Sequence, residues 1–324
     1  MLSILFVLTI IFIFLEIFGY RKYIKSSSYI TNLFSPHHFC HYILNKDYSN
    51  NKIQIDNNNF RNYDLKQDKS QSLYLSGDCN FFEHHHTTQN TLGYMIEKKG
   101  NIKVFNPSCP HYSISHQLNR FIFDLKKNIK PKYLVFSSSV NDSLALLNNN
   151  KNFMADYGNF YKPTSALKFP KIKHFYIRYL FFYFSHKYKN TLESFEKELV
   201  RKSRWEELNF ENYDKMEKNF NKTNVLDILK IIKFLCDEKK IKLIFCTFAS
   251  KKKEMLKYEH RKQTLKYITS INKIFREFSK KNNIPLIDFE NIFEEKEDLM
   301  LNKWDYTIAG NNLRCNEILK SLIT

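Results

Sequence analysis

Apolar residues along this chain of 324 residues fall into two patterns, short continuous runs and longer stretches with helical spacing. The runs lie at Leu73 to Leu75, Ile102 to Phe105, Tyr133 to Phe136, Ile241 to Phe248 and Ile284 to Phe289. Their length and continuity predict strands buried on both faces. Between them, Thr91 to Lys99 (closed by Gly100), Ser113 to Lys127, Asn224 to Lys239 and Leu256 to Lys281 carry the helix period. Strands alternating with helices predict a parallel sheet covered on both sides, a doubly wound α/β/α sandwich of the flavodoxin-like kind. This domain is expected to start near Gln71 and to run over 71–324. A helical insertion is expected at about 150–222, where the basic, aromatic stretch Phe175 to Phe184 is either a buried lid helix or a helix lying on a membrane surface.

The amino-terminal pattern is different. Leu2 to Phe18 is nearly continuous Leu, Ile, Phe and Val, and at about 1.5 Å per residue it can just span a hydrocarbon core of about 30 Å. No charged n-region or small-residue cleavage site accompanies it, which predicts an uncleaved transmembrane anchor over 1–20 and a single-pass membrane protein. Arg21, Lys22 and Lys25 follow on the carboxyl side, where the positive-inside rule would hold the main domain in the cytoplasm, although the outward orientation stays open. Residues 21–70 are polar, Asn-rich and without sustained periodicity, and read as a tether with a short helix near His38 to Leu44.

Composition changes this picture little. The 51 Lys and Arg against 33 Asp and Glu give a net charge of +18, a balance that raises nucleic acid or an anionic membrane as a partner. The lysines are spread along the whole chain without a nucleic-acid motif, so no nucleic-acid partner is expected. Cys40, Cys79, Cys109, Cys236, Cys246 and Cys315 show no CxxC pair and no zinc-finger spacing. Neither a disulfide framework nor a metal site is expected.

Four blocks in chain order carry candidate chemistry. The first strand runs into Gly77-Asp78-Cys79-Asn80, a strand-to-helix turn that exposes Cys79 as a nucleophile at the carboxyl edge of the sheet. The second strand runs into Asn106-Pro107-Ser108-Cys109-Pro110-His111, and the third into Ser137-Ser138-Ser139-Val140-Asn141-Asp142. Near the carboxyl terminus comes Asn302-Lys303-Trp304-Asp305-Tyr306-Thr307-Ile308-Ala309-Gly310-Asn311.

Block order resembles the SGNH or GDSL hydrolases, an esterase and acyltransferase superfamily, across roughly Ser72 to Thr324. The resemblance implies a nucleophile at Cys79, where the family has serine, and oxyanion stabilisation by the Cys79 backbone N–H and the Asn141 side chain. An oxyanion donor of that kind is worth about 3 kcal/mol. Ser108 and Ser139 stand where the family has glycines, and are further oxyanion or loop candidates. Asp305 matches the orienting acid of the family's Asp-x-x-His, but Ile308 stands where the histidine belongs. His84, His85, His86 and His111 are the candidate substitutes for that base. Such chemistry needs no cofactor, and the implied substrate is an acylated lipid or a cell-surface carbohydrate. The competing expectation is an inactive relative that keeps the fold as a binding or scaffolding domain at the membrane.

Overall fold

A computed structural model describes residues 33–37, 40–50, 52–61, 63, 71–110, 112–142, 222–257 and 259–323, with a few positions between 11 and 17. The chain divides into two compact units, Pro36–Tyr161 with Phe210–Thr324, and Met1–Ser35 with Lys162–Asn209. Everything below concerns the first. The expected membrane segment, apart from those few positions, and the helical insertion lie outside the described residues. Among the described residues no helix is long and apolar enough to cross a membrane.

Five strands, β1 (Ser72–Ser76), β2 (Lys103–Phe105), β3 (Tyr133–Ser137), β4 (Lys242–Cys246) and β5 (Leu286–Ile287), form one sheet in the order β2-β1-β3-β4-β5. All neighbours are parallel, with Leu73 opposite both Val104 and Tyr133, Phe136 opposite Phe245, and Phe245 opposite Leu286. Each expected strand is present. Alternate residues face opposite layers: Leu73, Leu75, Val104, Val135 and Ile244 join a core with Leu92, Ile96, Cys315 and Ile318. On the other face Tyr74 meets Phe121 with ring centroids 5.2 Å apart, and Phe245 meets Phe275 at 5.2 Å. The helices are α1 (Cys79–Phe82), α2 (Leu92–Gly100), α3 (Ile114–Lys126), α4 (Lys222–Lys239), α5 (Lys252–Met255), α6 (Glu259–Asn282), α7 (Phe289–Glu294) and α8 (Ile308–Ile323). Residues of α2 and α8 cover one side of the sheet and those of α3 and α6 the other.

Strand order reverses between β1 and β3. In an open parallel sheet such a switch point opens a crevice beyond the carboxyl ends of the strands, so the fold alone directs attention to the turns after β1 and β3.

Two expectations need correction. Gly100 closes α2 as its last helical residue rather than from beyond the helix, at a point where a Cβ would come within 2.5 Å of Leu319 on α8. Asn101 takes the left-handed position with φ 50°, and Asn128, Lys240 and Asn283 do so at the ends of α3, α4 and α6. In a chain with only 6 glycines, asparagine, whose short side chain tolerates this region, does most of the capping.

The second correction concerns the tether. Residues 40–61 are packed: Cys40, Leu44, Ile53 and Phe60 are buried, and His41–Leu44 is a strand rather than a helix. The abundant Asn and Asp residues make turns by bonding nearby backbone. Asn50 Oδ1 accepts from the N–H groups of Lys52 and Ile53, and Asp56 Oδ1 from those of Asn58 and Phe60.

Candidate active site

The turn after β1 is built around a close approach. A Cβ at Gly77 would lie 2.5 Å from the buried Phe81 ring, so any side chain there would have to displace that ring. Asp78 then caps α1, its side chain accepting from the Asn80 N–H at 3.0 Å. Cys79, the first residue of α1, is partly exposed, whereas the other five cysteines are buried.

In this helix of four residues only the Cys79 carbonyl takes a helical bond, from the Glu83 N–H, and the next three carbonyls are left without one. Here side chains from distant segments serve those three. Arg314 of α8 donates to Asn80 O at 3.0 Å, Asn106 donates to Phe81 O at 2.9 Å, and Arg61 donates to Phe82 O and, at 3.0 Å, to Glu83 O. Arg61 also reaches His86 O at 3.1 Å. Glu83 is left-handed at φ 55°, which turns the chain out of α1 and into the histidine run.

That turn brings two histidines onto the final block. His85 Nε2 lies 3.1 Å from Asp305 Oδ2, and His86 Nε2 lies 2.8 Å from Tyr306 O. Asp305 also accepts from Asn302 Nδ2 at 2.7 Å. Burial pushes the Asp305 carboxyl up, but the His85 and Asn302 hydrogen bonds and the nearby His84 and His85 outweigh it and hold it below the usual carboxylate range. Lys303, next but one in sequence, is pushed down to about 8, by burial first and by Arg261, against the pull of Asp305 and Glu254. The Asp–His contact that the final block cannot make, with Ile308 at the histidine position, is made between two blocks by His85 and Asp305.

The turn after β3 is arranged differently. Asn141 Nδ2 donates to Asp78 Oδ2 at 2.9 Å and approaches Tyr112 O at 3.4 Å. Ser139 Oγ contacts Asp78 Oδ2 as well and lies 2.8 Å from Tyr112 O. A hydroxyl has one proton, and a carbonyl can only accept. The single Ser139 proton is therefore shared between Asp78 Oδ2 and Tyr112 O. Asp78 is raised from 3.8 to about 6, by burial first, against hydrogen bonds from Asn80, Ser139 and Asn141 and with the Asp305 charge adding to the rise. Asp142 anchors the same turn, accepting from Ile114 N at 2.8 Å and Ser139 N at 3.2 Å, and burial holds its carboxyl well above the ordinary range.

The sequence-predicted residues therefore separate. Cys79 stands on the β1 turn, whose Asp78 feels the Asp305 charge, and His85 stands on Asp305. His86 is bonded to backbone, and His84 lies against His85 with ring centroids 3.6 Å apart and planes tilted by 43°. His111 lies outside the described residues. Ser108 is not placed as an oxyanion donor: its N–H goes to Asn106 Oδ1 at 3.0 Å and its Oγ to Leu75 O at 2.8 Å. Ser139 N–H is likewise held by Asp142, and the Asn141 amide by Asp78. Among the described residues no group of three or more His, Cys, Asp and Glu side chains could hold a metal ion.

Arg61, Glu83 and Arg314 carry no role in the sequence reading. One signal for Arg314 is present in the chain: Gly310, Asn311, Arg314, Cys315, Ile318 and Leu322 share the buried face of α8, and a charge on such a face needs a partner.

No protein-family model matches this sequence, and no curated protein matches it. Solved structures similar to the chain include a member of the lipolytic G-D-S-L family from Veillonella parvula, at 10% identity and TM-score 0.47, covering 78% of this chain and 97% of that one. Another is the lipase/acylhydrolase from Enterococcus faecalis, at 12% and 0.45, covering 78% and 95%. A third is a GDSL-like lipase from Bacteroides thetaiotaomicron, at 12% and 0.43, covering 80% and 91%.

Proposed function

We propose that this chain is a hydrolase or acyltransferase acting on ester bonds through the Cys79 thiolate, with His85 as base and Asp305 as the acid that orients it. The observation that carries the reading is the His85–Asp305 pair at 3.1 Å, at the sheet edge that also bears the Cys79 turn. With Nε2 on Asp305, Nδ1 is the nitrogen left to take the thiol proton. The thiolate then adds to the ester carbonyl, the C–O bond breaks, and His85 returns the proton to the leaving alkoxide. Water or an acceptor hydroxyl resolves the thioester, which distinguishes hydrolysis from acyl transfer. Cysteine suits a base on a loop, because its ordinary pKa near 8.5 leaves some thiolate at neutral pH even without activation. Leu2 to Phe18 would anchor the enzyme in a membrane, and the family resemblance points to an acylated lipid or carbohydrate as substrate.

One observation favours a second reading, an inactive SGNH-like scaffold. The Asn141 amide and the Ser108 and Ser139 N–H groups are all spent inside the protein, which takes three of the resemblance's candidate oxyanion donors away from a substrate. The test is turnover of short-chain p-nitrophenyl esters and thioesters by the full-length chain in detergent. The whole chain is required because Arg61, upstream of the sheet, holds the histidine loop. Turnover lost in both Cys79→Ala and His85→Ala supports the enzyme. A folded wild type that neither turns over nor becomes acylated supports the scaffold.

A further inference from the structure

Arg314 is fully buried, and its guanidinium meets every segment that carries the proposed chemistry. Nη2 donates to Asn80 O at 3.0 Å, one residue beyond Cys79. Nη1 lies 3.1 Å from Glu83 Oε1, on the residue that turns the chain into His84 to His86, and donates to Asn311 Oδ1 at 3.1 Å. Its plane lies over the Tyr306 ring, 4.0 Å from the centroid, beside Asp305 in sequence. Glu83 is fixed from the other side, its Oε2 accepting from Leu92 N at 2.6 Å. The Nε of Arg314 is buried with no hydrogen-bond partner among the described residues, so the group sits where its other contacts demand.

We infer that Arg314 is a positioning residue, setting the Cys79 turn, the His85 loop and the Asp305 segment in one mutual geometry while touching no substrate. The inference rests on the proposed function. A planar guanidinium can serve a carbonyl, a carboxylate and an aromatic face at once, whereas an ammonium is a point charge and cannot. The carbonyl of Asn80 belongs to the same short helix as the nucleophile, so release of that bond lets Cys79 move relative to His85. A displacement of about 1 Å at a reacting pair costs up to about 100-fold in rate.

The test uses the full-length chain and two readouts, thioester turnover and the pH dependence of Cys79 alkylation by iodoacetamide, with Cys79→Ala as background. A Glu83→Gln/Arg314→Met double variant removes the buried pair without leaving one charge alone. For a folded double variant the expected result is a drop of about 100-fold in kcat with KM little changed, and an alkylation profile that differs from the wild type's. Arg314→Lys should keep the fold and show an intermediate loss. If the double variant does not fold, Arg314→Lys decides alone. A wild-type kcat and alkylation profile in whichever folded variant decides the matter overturns the inference. His85→Ala separates the two ideas. If it alters the profile while the Arg314 variants do not, only the positioning role fails; if it leaves the profile unchanged, the base assignment fails and the positioning role falls with it.

Discussion

The turns after β1 and β3 sit at the same sheet edge and use their polar groups in opposite ways. After β1, an α1 carbonyl set that would otherwise lack partners is bonded by Arg61, Asn106 and Arg314, and the loop so held delivers His85 to Asp305. After β3, the amide that the family resemblance offers to substrate is turned onto Asp78. One turn makes an Asp–His contact that the final sequence block lacks, and the other commits an amide donor inside the protein. Matching residues at matching positions do not make matching sites, because a buried carboxylate nearby competes for the same hydrogen-bond donors.

Four expected outcomes break or sharpen that contrast. The largest falls on the β1 side: His85→Ala should lower thioester turnover by about 10²- to 10⁴-fold, the usual share of a general base, as read from kcat. Next, Arg314→Met alone should cost about 3–5 kcal/mol in a urea unfolding series, since it leaves Glu83 charged and unpaired in the interior. Third, Asp78 should tilt stability with pH. Its folded pKa of about 6 lies above 3.8, so its favourable contribution is complete below the unfolded value and is lost as pH rises through the folded one, by roughly 3 kcal/mol. Asp78→Asn should remove that slope between pH 4 and 7, whereas Asp305, shifted the other way, contributes above its unfolded value and loses that contribution as pH falls. The smallest effect belongs to Asn141→Ala, expected to lower kcat by less than about 10-fold, against about 10²- to 10³-fold for a true oxyanion donor.

Much of the fold was legible because buried parallel strands write themselves as continuous apolar runs, and all five runs became strands. Other parts were not legible, for physical reasons. Residues 40–61 have the composition of a tether, but their Asn and Asp side chains form turns that carry Ile53 and Phe60 inward without any periodic signal. The sequence offers several histidines without choosing the one that meets Asp305, because that contact depends on the left-handed backbone at Glu83 and on contacts from residues more than 200 positions away. Asn141 was assigned by position, and its true partner depends on the Asp78 carboxylate, whose burial no spacing reveals.

The most direct test is intact-mass detection of an acyl group on Cys79 after brief exposure of the full-length chain to p-nitrophenyl acetate or an acetyl thioester, with His85→Ala alongside. The account predicts acylation at Cys79 in the wild type and at least about 100-fold slower acylation in the variant. A folded wild type that never acquires the group, or a variant acylated as fast as the wild type, would contradict a Cys79 nucleophile served by His85 and Asp305.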